Sequence, residues 1–267
     1  MTGTLLPERR MVSVDFFVEA DVFEYFPGMR LVVAVAEGMS LPAGTEPVAA
    51  FLRDSWRIAA EASTAYGNPQ SHPNIKPWGE RMKMAGAPRK NFPSSIEALV
   101  RRAGKSERPF AIHPFVDFYN AVSLRYLVPA GGFDIDVLRD GLALRFSRHG
   151  DSFTALDEED SVDIPPGEVS YADGDIVVTR HFVWKQSRHA IIAPESKNIF
   201  FISEILGELP PETAGIVHEA LVEGLRNFFN AKVRSDILDA GRRSIRLKLF
   251  HLLGTRGSYQ ELLGLDL

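Results

Sequence analysis

The sequence contains no cysteine. That excludes disulfides, thiolate-bound zinc, iron–sulfur clusters and a cysteine nucleophile, and it is compatible with a cytoplasmic location. Long hydrophobic runs are also missing. None approaches the roughly 18 residues that span a bilayer, and no basic N-terminal stretch precedes an apolar core, so neither a membrane partner nor a secretory signal is expected. The glycine patterns that cradle phosphates are absent: there is no G-x-G-x-x-G after a strand and no Walker A sequence. Gly131-Gly132 lacks dinucleotide-loop spacing. There is no G-x-S-x-G elbow and no His-Glu-x-x-His. Positive charge is not in excess, with 30 Lys and Arg against 35 Asp and Glu. A protein that wraps duplex DNA is usually basic, so DNA is not an expected partner. Internal repeats and low-complexity tracts are not found.

What is present is ordinary globular material. The 267 residues are 45% hydrophobic and 24% charged, enough for a real core in one large domain or two small ones. Residues 11–20 alternate like a strand, through Val12, Val14, Phe16 and Val18. The Tyr25–Gly28 tetrapeptide signals a turn, and the valine-rich run 31–36 reads as a buried strand. Residues 46–66 carry apolar side chains at helical spacing. Residues 68–77, with three prolines, predict a loop, and 81–93 an irregular basic stretch. Ser94 or Ser95 caps a helix, and Glu97 stands three residues after Ser94. A second strong helix covers 114–127, and the glycines after Pro129 break it. Beyond that point the chain reads as β: 142–146, then 168–172 and 176–184 around an Asp173-Gly174 hairpin turn, then 198–206. Pro210-Pro211 opens a last helical section. The pattern predicts a compact α+β unit, a largely antiparallel sheet flanked by helices. It divides into an N-terminal strand and helix segment (1–75), a core (76–208) and a C-terminal helical extension (209–267).

Charge is unevenly spread. Nine basic residues between Lys76 and Arg108 face three acids, Glu80, Glu97 and Glu107. Arg242, Arg243, Arg246 and Lys248 form a second basic stretch. Such asymmetry suits either a docked polyanion or a solvated helical surface. His181 and His189 lie eight apart without an acidic partner at set spacing, which is weak support for a metal. Asp134 and Asp136 suit acid–base chemistry or a hard cation, but such aspartates more often cap a helix or bind loop amides. Glu168 is placed to accept turn hydrogen bonds. The segment 180–189 mixes Arg180, Trp184, Lys185 and Arg188. It fits a rim that contacts phosphate and stacks on a base, or an edge strand with snorkelling side chains.

These residues, in this order, resemble the B3/B4 editing domain of the phenylalanyl-tRNA synthetase β subunit. The stretches that carry the likeness are NFPSSIEALVRR at 91–102; 114–129 with Asn120, Ser123 and Pro129; Gly132-Phe133-Asp134; Leu144-Arg145-Phe146; GDSF at 150–153; PGEVSYAD at 166–173; and 180–187 with Trp184 and Gln186. The likeness covers roughly residues 80–206 and implies a B3/B4-like mixed fold.

It also implies a chemistry: hydrolysis of mischarged aminoacyl-tRNA, with no metal, no other cofactor and no covalent nucleophile. A free-standing relative would act in trans. The residues beyond the likeness are too few for an aminoacylation domain, so charging of tRNA is not expected. The implied partners are tRNA and, secondarily, an aminoacyl-tRNA synthetase. Asn120, Ser123, Gln186 and Glu204 are the catalytic candidates. Gly131, Gly132, Asp134, Trp184 and His189 are the pocket candidates. Arg81, Lys83, Lys90, Arg101, Arg102, Arg180 and Arg188 are the tRNA contacts. Two departures stand out. The synthetase form has a histidine where this chain reads Ala130 to Phe133. It also has a glutamate where this chain reads Ile202, and Glu204, two residues on, shares that strand face. Two other functions fit the same residues: a non-catalytic module that binds tRNA or a synthetase, and a pocket protein for a free amino acid.

Overall fold

A computed structural model describes residues 10–41 and 44–252. The chain opens with β1 (Arg10–Val18), α1 (Ala20–Tyr25), β2 (Arg30–Glu37) and α2 (Glu46–Ala65). A 3₁₀ turn at Pro69–Ser71 leads into α3 (Lys76–Met84), α4 (Ser95–Ala103) and α5 (Pro114–Tyr126). The β-rich part follows: β3 (Ala130–Asp134), β4 (Leu142–Phe146), β5 (Ser152–Phe153), β6 (Val162–Asp163), β7 (Val169–Asp173), β8 (Ile176–Arg180), β9 (Lys185–Gln186) and β10 (Ile199–Ile205). The last elements are α6 (Thr213–Phe229), β11 (Lys232–Leu238) and β12 (Ser244–Leu252).

The strands form two sheets. The larger runs β12-β1-β4-β7-β8-β5-β6, with β9 paired to β8; the smaller runs β11-β2-β10-β3. Most neighbours are antiparallel, but β1 with β4 and β5 with β8 are parallel. The small sheet is the middle layer. Phe200 on β10 meets Phe16 of the large sheet at 4.9 Å between ring centroids, while its neighbour Phe201 meets Phe118 of α5 at 6.1 Å on the other face. Strands covered on both faces need apolar side chains at every position, not every second one. β2 has that composition from Leu31 to Ala36, β10 has it except at Ser203 and Glu204, and every residue of β10 is buried.

Local chemistry sets the helix ends. The Ser94 hydroxyl accepts the Glu97 amide at 3.4 Å, as an N-cap does. The buried Glu97 carboxylate pairs with Arg101 and Arg89 and accepts from Gln70. α5 starts on Pro114 and ends on Leu127, a leucine in the left-handed region at φ 55°. Ser123 compensates: its hydroxyl donates to the Val128 carbonyl at 2.5 Å.

Several sequence expectations change. Residues 68–77 are not all loop. They hold the 3₁₀ turn and the first residues of α3, where Pro77 sits in the first turn and has no amide to lose. Gly131 and Gly132 do not stop at breaking α5 but lie within β3. The strand after the hairpin ends at Arg180, not 184, and Asp173 pairs with Ile176, so the turn residues are Gly174 and Asp175. The C-terminal part is not a helical extension. Its helix covers only Thr213–Phe229, and two strands follow, β11 beside β2 and β12 beside β1. The N-terminal segment is interleaved with the rest, since β1 lies between β12 and β4. Residues 1–9 and 253–267 of the two terminal segments lie outside the described residues.

Candidate active site

A cavity of about 350 Å³ opens where α4 and α5 meet the small sheet and the β8–β9 connection. Period-two alternation on β10 brings Ile202 and Glu204 to it together. Opposite them, β3 contributes Gly131, paired with Ile202, and Gly132, paired with Phe201. A Cβ added at Gly131 would meet nothing within 4 Å. The bare glycine backbone therefore leaves space that a side chain would fill. α5 supplies Tyr119 and Asn120, α4 supplies Arg102, β7 supplies Tyr171, and the β8–β9 segment supplies Trp184 and Gln186.

The polar groups are unevenly satisfied. The Tyr171 hydroxyl donates to Glu204 Oε1 at 2.6 Å. Burial pushes the Glu204 carboxyl from its ordinary 4.5 up to about 7, against the opposing pull of that hydrogen bond. Burial first, then the neighbouring carboxylate, pushes Tyr171 well up. The Gln186 side chain donates to the Gly132 carbonyl at 3.2 Å. β3 is an edge strand. The Gly132 carbonyl reaches Gln186, and the Asp134 amide donates to Ala190 at 3.0 Å, both away from β10. By that parity the Gly132 amide also points outward from the sheet. The Asn120 side chain has no hydrogen-bond partner among the described residues, although it lines the cavity.

One wall of the cavity is a strained turn. His181 and Phe182 are consecutive non-glycine residues at φ 45° and 62°, a conformation that costs on the order of 1–3 kcal/mol per residue. Glu168 holds it. Its buried carboxylate accepts the His181 amide at 2.8 Å and Arg180 Nη2 at 2.7 Å. The Val169 carbonyl takes the Phe182 amide at 2.7 Å, and the Val183 carbonyl accepts from Ser95 at 2.8 Å. The His181 ring packs on Phe92 at 4.0 Å, and burial pushes its titration down. Glu168 thus accepts turn hydrogen bonds, and its role in shaping the wall was not legible without the two positive φ values.

Of the sequence candidates, the cavity gathers Asn120, Gln186, Glu204, Gly131, Gly132, Trp184 and Arg102. Three others lie elsewhere, and here the sequence assignment needs correcting. Ser123 is fully buried and spends its hydroxyl on the end of α5. Asp134 bonds Ser196 and the Asp136 amide, a loop-amide role. His189 pairs with Asp173 at 2.8 Å, and Asp173 also accepts the amides of 139–141. His181 and His189 therefore have separate partners, and among the described residues no three His, Asp or Glu side chains converge as metal ligands.

The basic candidates also divide. Arg81 pairs with Glu208, Arg101 with Glu97 and Arg180 with Glu168. Lys83, Lys90, Arg102 and Arg188 are exposed and have no ion pair among the described residues. Lys83 faces a separate cleft of about 500 Å³ with Lys76 and Arg89. Sequence reasoning missed Tyr119, Tyr171 and Thr179, which also line the main cavity. Tyr171 belonged to a quoted stretch, but nothing in the sequence placed it opposite Glu204. No helix among the described residues is long and apolar enough to cross a membrane.

Residues 83–209 match the family model of the B3/4 domain. A solved N-terminal fragment of the phenylalanyl-tRNA synthetase beta subunit from Pyrococcus horikoshii is similar at 11% identity with a TM-score of 0.45, over 86% of this chain and 53% of that one. The chain spans about half the length of that fragment. No curated protein matches the sequence.

Proposed function

We propose that this chain, which carries a B3/4 domain over residues 83–209, is a trans-acting aminoacyl-tRNA deacylase that hydrolyses mischarged tRNA. The observation that carries the reading is the composition of the cavity. It lies chiefly within the B3/4 match, its volume falls in the range of small-ligand sites, and its polar groups are those an ester hydrolysis needs.

An aminoacyl ester is already activated, so the protein must mainly orient a water and stabilise the tetrahedral oxyanion. The outward amide of Gly132 and the unpartnered Asn120 amide are the donors for that oxygen. Gln186 fixes the Gly132 peptide through its carbonyl. Glu204, with its carboxyl near 7, is the group whose protonation suits a general base at neutral pH. Gly131 leaves room for the amino-acid side chain, and the strained turn at 181–184 brings Trp184 to the wall. Arg102, which lines the cavity and has no ion pair among the described residues, attracts the tRNA phosphates.

A deacylation screen tests this. The protein is incubated with a panel of tRNAs carrying correct and incorrect amino acids, and ester loss is followed. Selective loss of one mischarged species supports the reading. No loss across the panel, with tRNA still bound, means a non-catalytic binding module. Stabilisation by a free amino acid alone, with no tRNA affinity, means a metabolite pocket.

A further inference from the structure

Beside the cavity mouth, the end of α4, Trp56 and the chain 105–110 enclose an open groove of about 470 Å³. We propose that this groove is a docking surface for single-stranded RNA, with phosphates on Arg102, Lys105 and Arg108 and a base stacked on Phe110. The proposal rests on the tRNA reading above only for which RNA end arrives there.

The three cations are exposed, and none has a carboxylate partner among the described residues. They differ in this from Arg81, Arg89 and Arg101, whose charges are taken by Glu208 and Glu97. Glu107 is the one acid of the segment, and it pairs with none of the three. Phe110 is 62% exposed and Ile112 60%, large apolar side chains left in water. The end of a helix attracts cations through its dipole, which accounts for Arg102 and Lys105. It does not account for Arg108 or for the exposed ring of Phe110 in the same groove.

The backbone under these side chains is held. Trp56, itself buried, donates its indole N–H to the Ser106 carbonyl at 2.7 Å. Ser106 in turn donates to the Arg108 carbonyl at 2.9 Å. At the other end the Ile112 amide donates to Asp117 at 2.8 Å. Phe110 is therefore presented from a chain pinned on both sides. Arg102 lines both the groove and the cavity, and Ile112 lines the cavity, so one strand can pass from one to the other. Cations interleaved with an exposed ring suit a single strand, whose bases offer open faces. A duplex hides those faces, and an acidic protein would use the charges but not a stacking ring.

The test is fluorescence anisotropy of a labelled, unacylated RNA oligonucleotide ending in CCA, titrated with the full chain. Phe110→Leu keeps an apolar side chain but removes the aromatic face, and it should weaken binding roughly 5- to 150-fold. Phe110→Tyr should restore it. Replacing Arg102, Lys105 and Arg108 together by Ala should reduce the slope of log K against log salt by about two. If Phe110→Leu binds like the parent, or the triple variant keeps the full salt slope, the proposal is overturned. RNA binding that Phe110→Leu leaves unchanged, with poly-glutamate competing equally against both proteins, would assign the surface to an acidic protein instead. The probe carries no ester. RNA binding that responds to these four side chains, without deacylation of any charged tRNA, would sink the proposed reaction and keep the groove. Deacylation with RNA binding indifferent to them would do the reverse.

Discussion

Glu204→Gln should make the protein more stable at pH 8 than its parent, and no more stable near pH 4.5. The Glu204 carboxyl is raised in the fold from an ordinary 4.5 to about 7 because burial disfavours its charge. Below 4.5 the group is protonated whether folded or unfolded, and the shift has no effect. Between 4.5 and 7 the folded state holds a proton that the unfolded chain releases, so stability falls as pH rises. Above 7 the full cost is present. That rise from 4.5 to about 7, at about 1.36 kcal/mol per pH unit, amounts to about 3 kcal/mol. Gln keeps an oxygen to accept from Tyr171 and has no charge to desolvate. Urea unfolding at a series of pH values measures the difference. With a slope near 3 kcal/mol/M for a chain of this size, the midpoint of Glu204→Gln should exceed the parent's by about 1 M at pH 8. A difference that stays flat from pH 4.5 to 8, or that shrinks as pH rises, would refute the assignment of a buried, destabilising carboxylate. A group retained at that cost is expected to serve the cavity.

Three other substitutions probe the surroundings. Glu168→Ala removes the acceptor that holds the strained turn and strands Arg180, so it should cost about 3 kcal/mol and shift Trp184 fluorescence to the red; thermal melting and emission spectra read both. Gly131→Ala adds a methyl where a Cβ meets nothing within 4 Å. It should melt like the parent yet lose turnover for the bulkiest accepted aminoacyl group, measured by deacylation across the panel. Gly224→Ala would set a Cβ 2.3 Å from the Phe118 ring. Overpacking of that kind costs about 1–3 kcal/mol, and the melting temperature should drop by roughly 3–10 °C.

Much of the fold was legible where burial and local chemistry agree. The β2 run, the α2 and α5 stripes and the Ser94 cap all announce themselves. The last strands were hidden by their own edge chemistry: Arg246 and Lys248 alternate with Ile245 and Leu247, as charged residues often do on an edge, and were read as a basic stretch instead. Gly131 and Gly132 were visible as a break but not as a strand, because glycine carries no side-chain pattern. In the site, Glu204 followed from the strand period once Ile202 was placed. Ser123 did not follow Asn120 into the cavity, since its hydroxyl is used at the helix end. The cations could not be sorted from the sequence. Glu208 lies far along the chain from Arg81, and Glu97 serves two arginines at once. Which charges remain free for a partner is a property of the tertiary structure.

The most direct measurement of the central claim is single-turnover deacylation of the mischarged tRNA found in the screen, with tRNA affinity measured in parallel, for the parent and for Asn120→Ala. The account predicts a rate lower by roughly 10²- to 10³-fold for the variant, the size of a lost oxyanion donor, with affinity for the tRNA nearly unchanged. Deacylation by Asn120→Ala at the parental rate would contradict it.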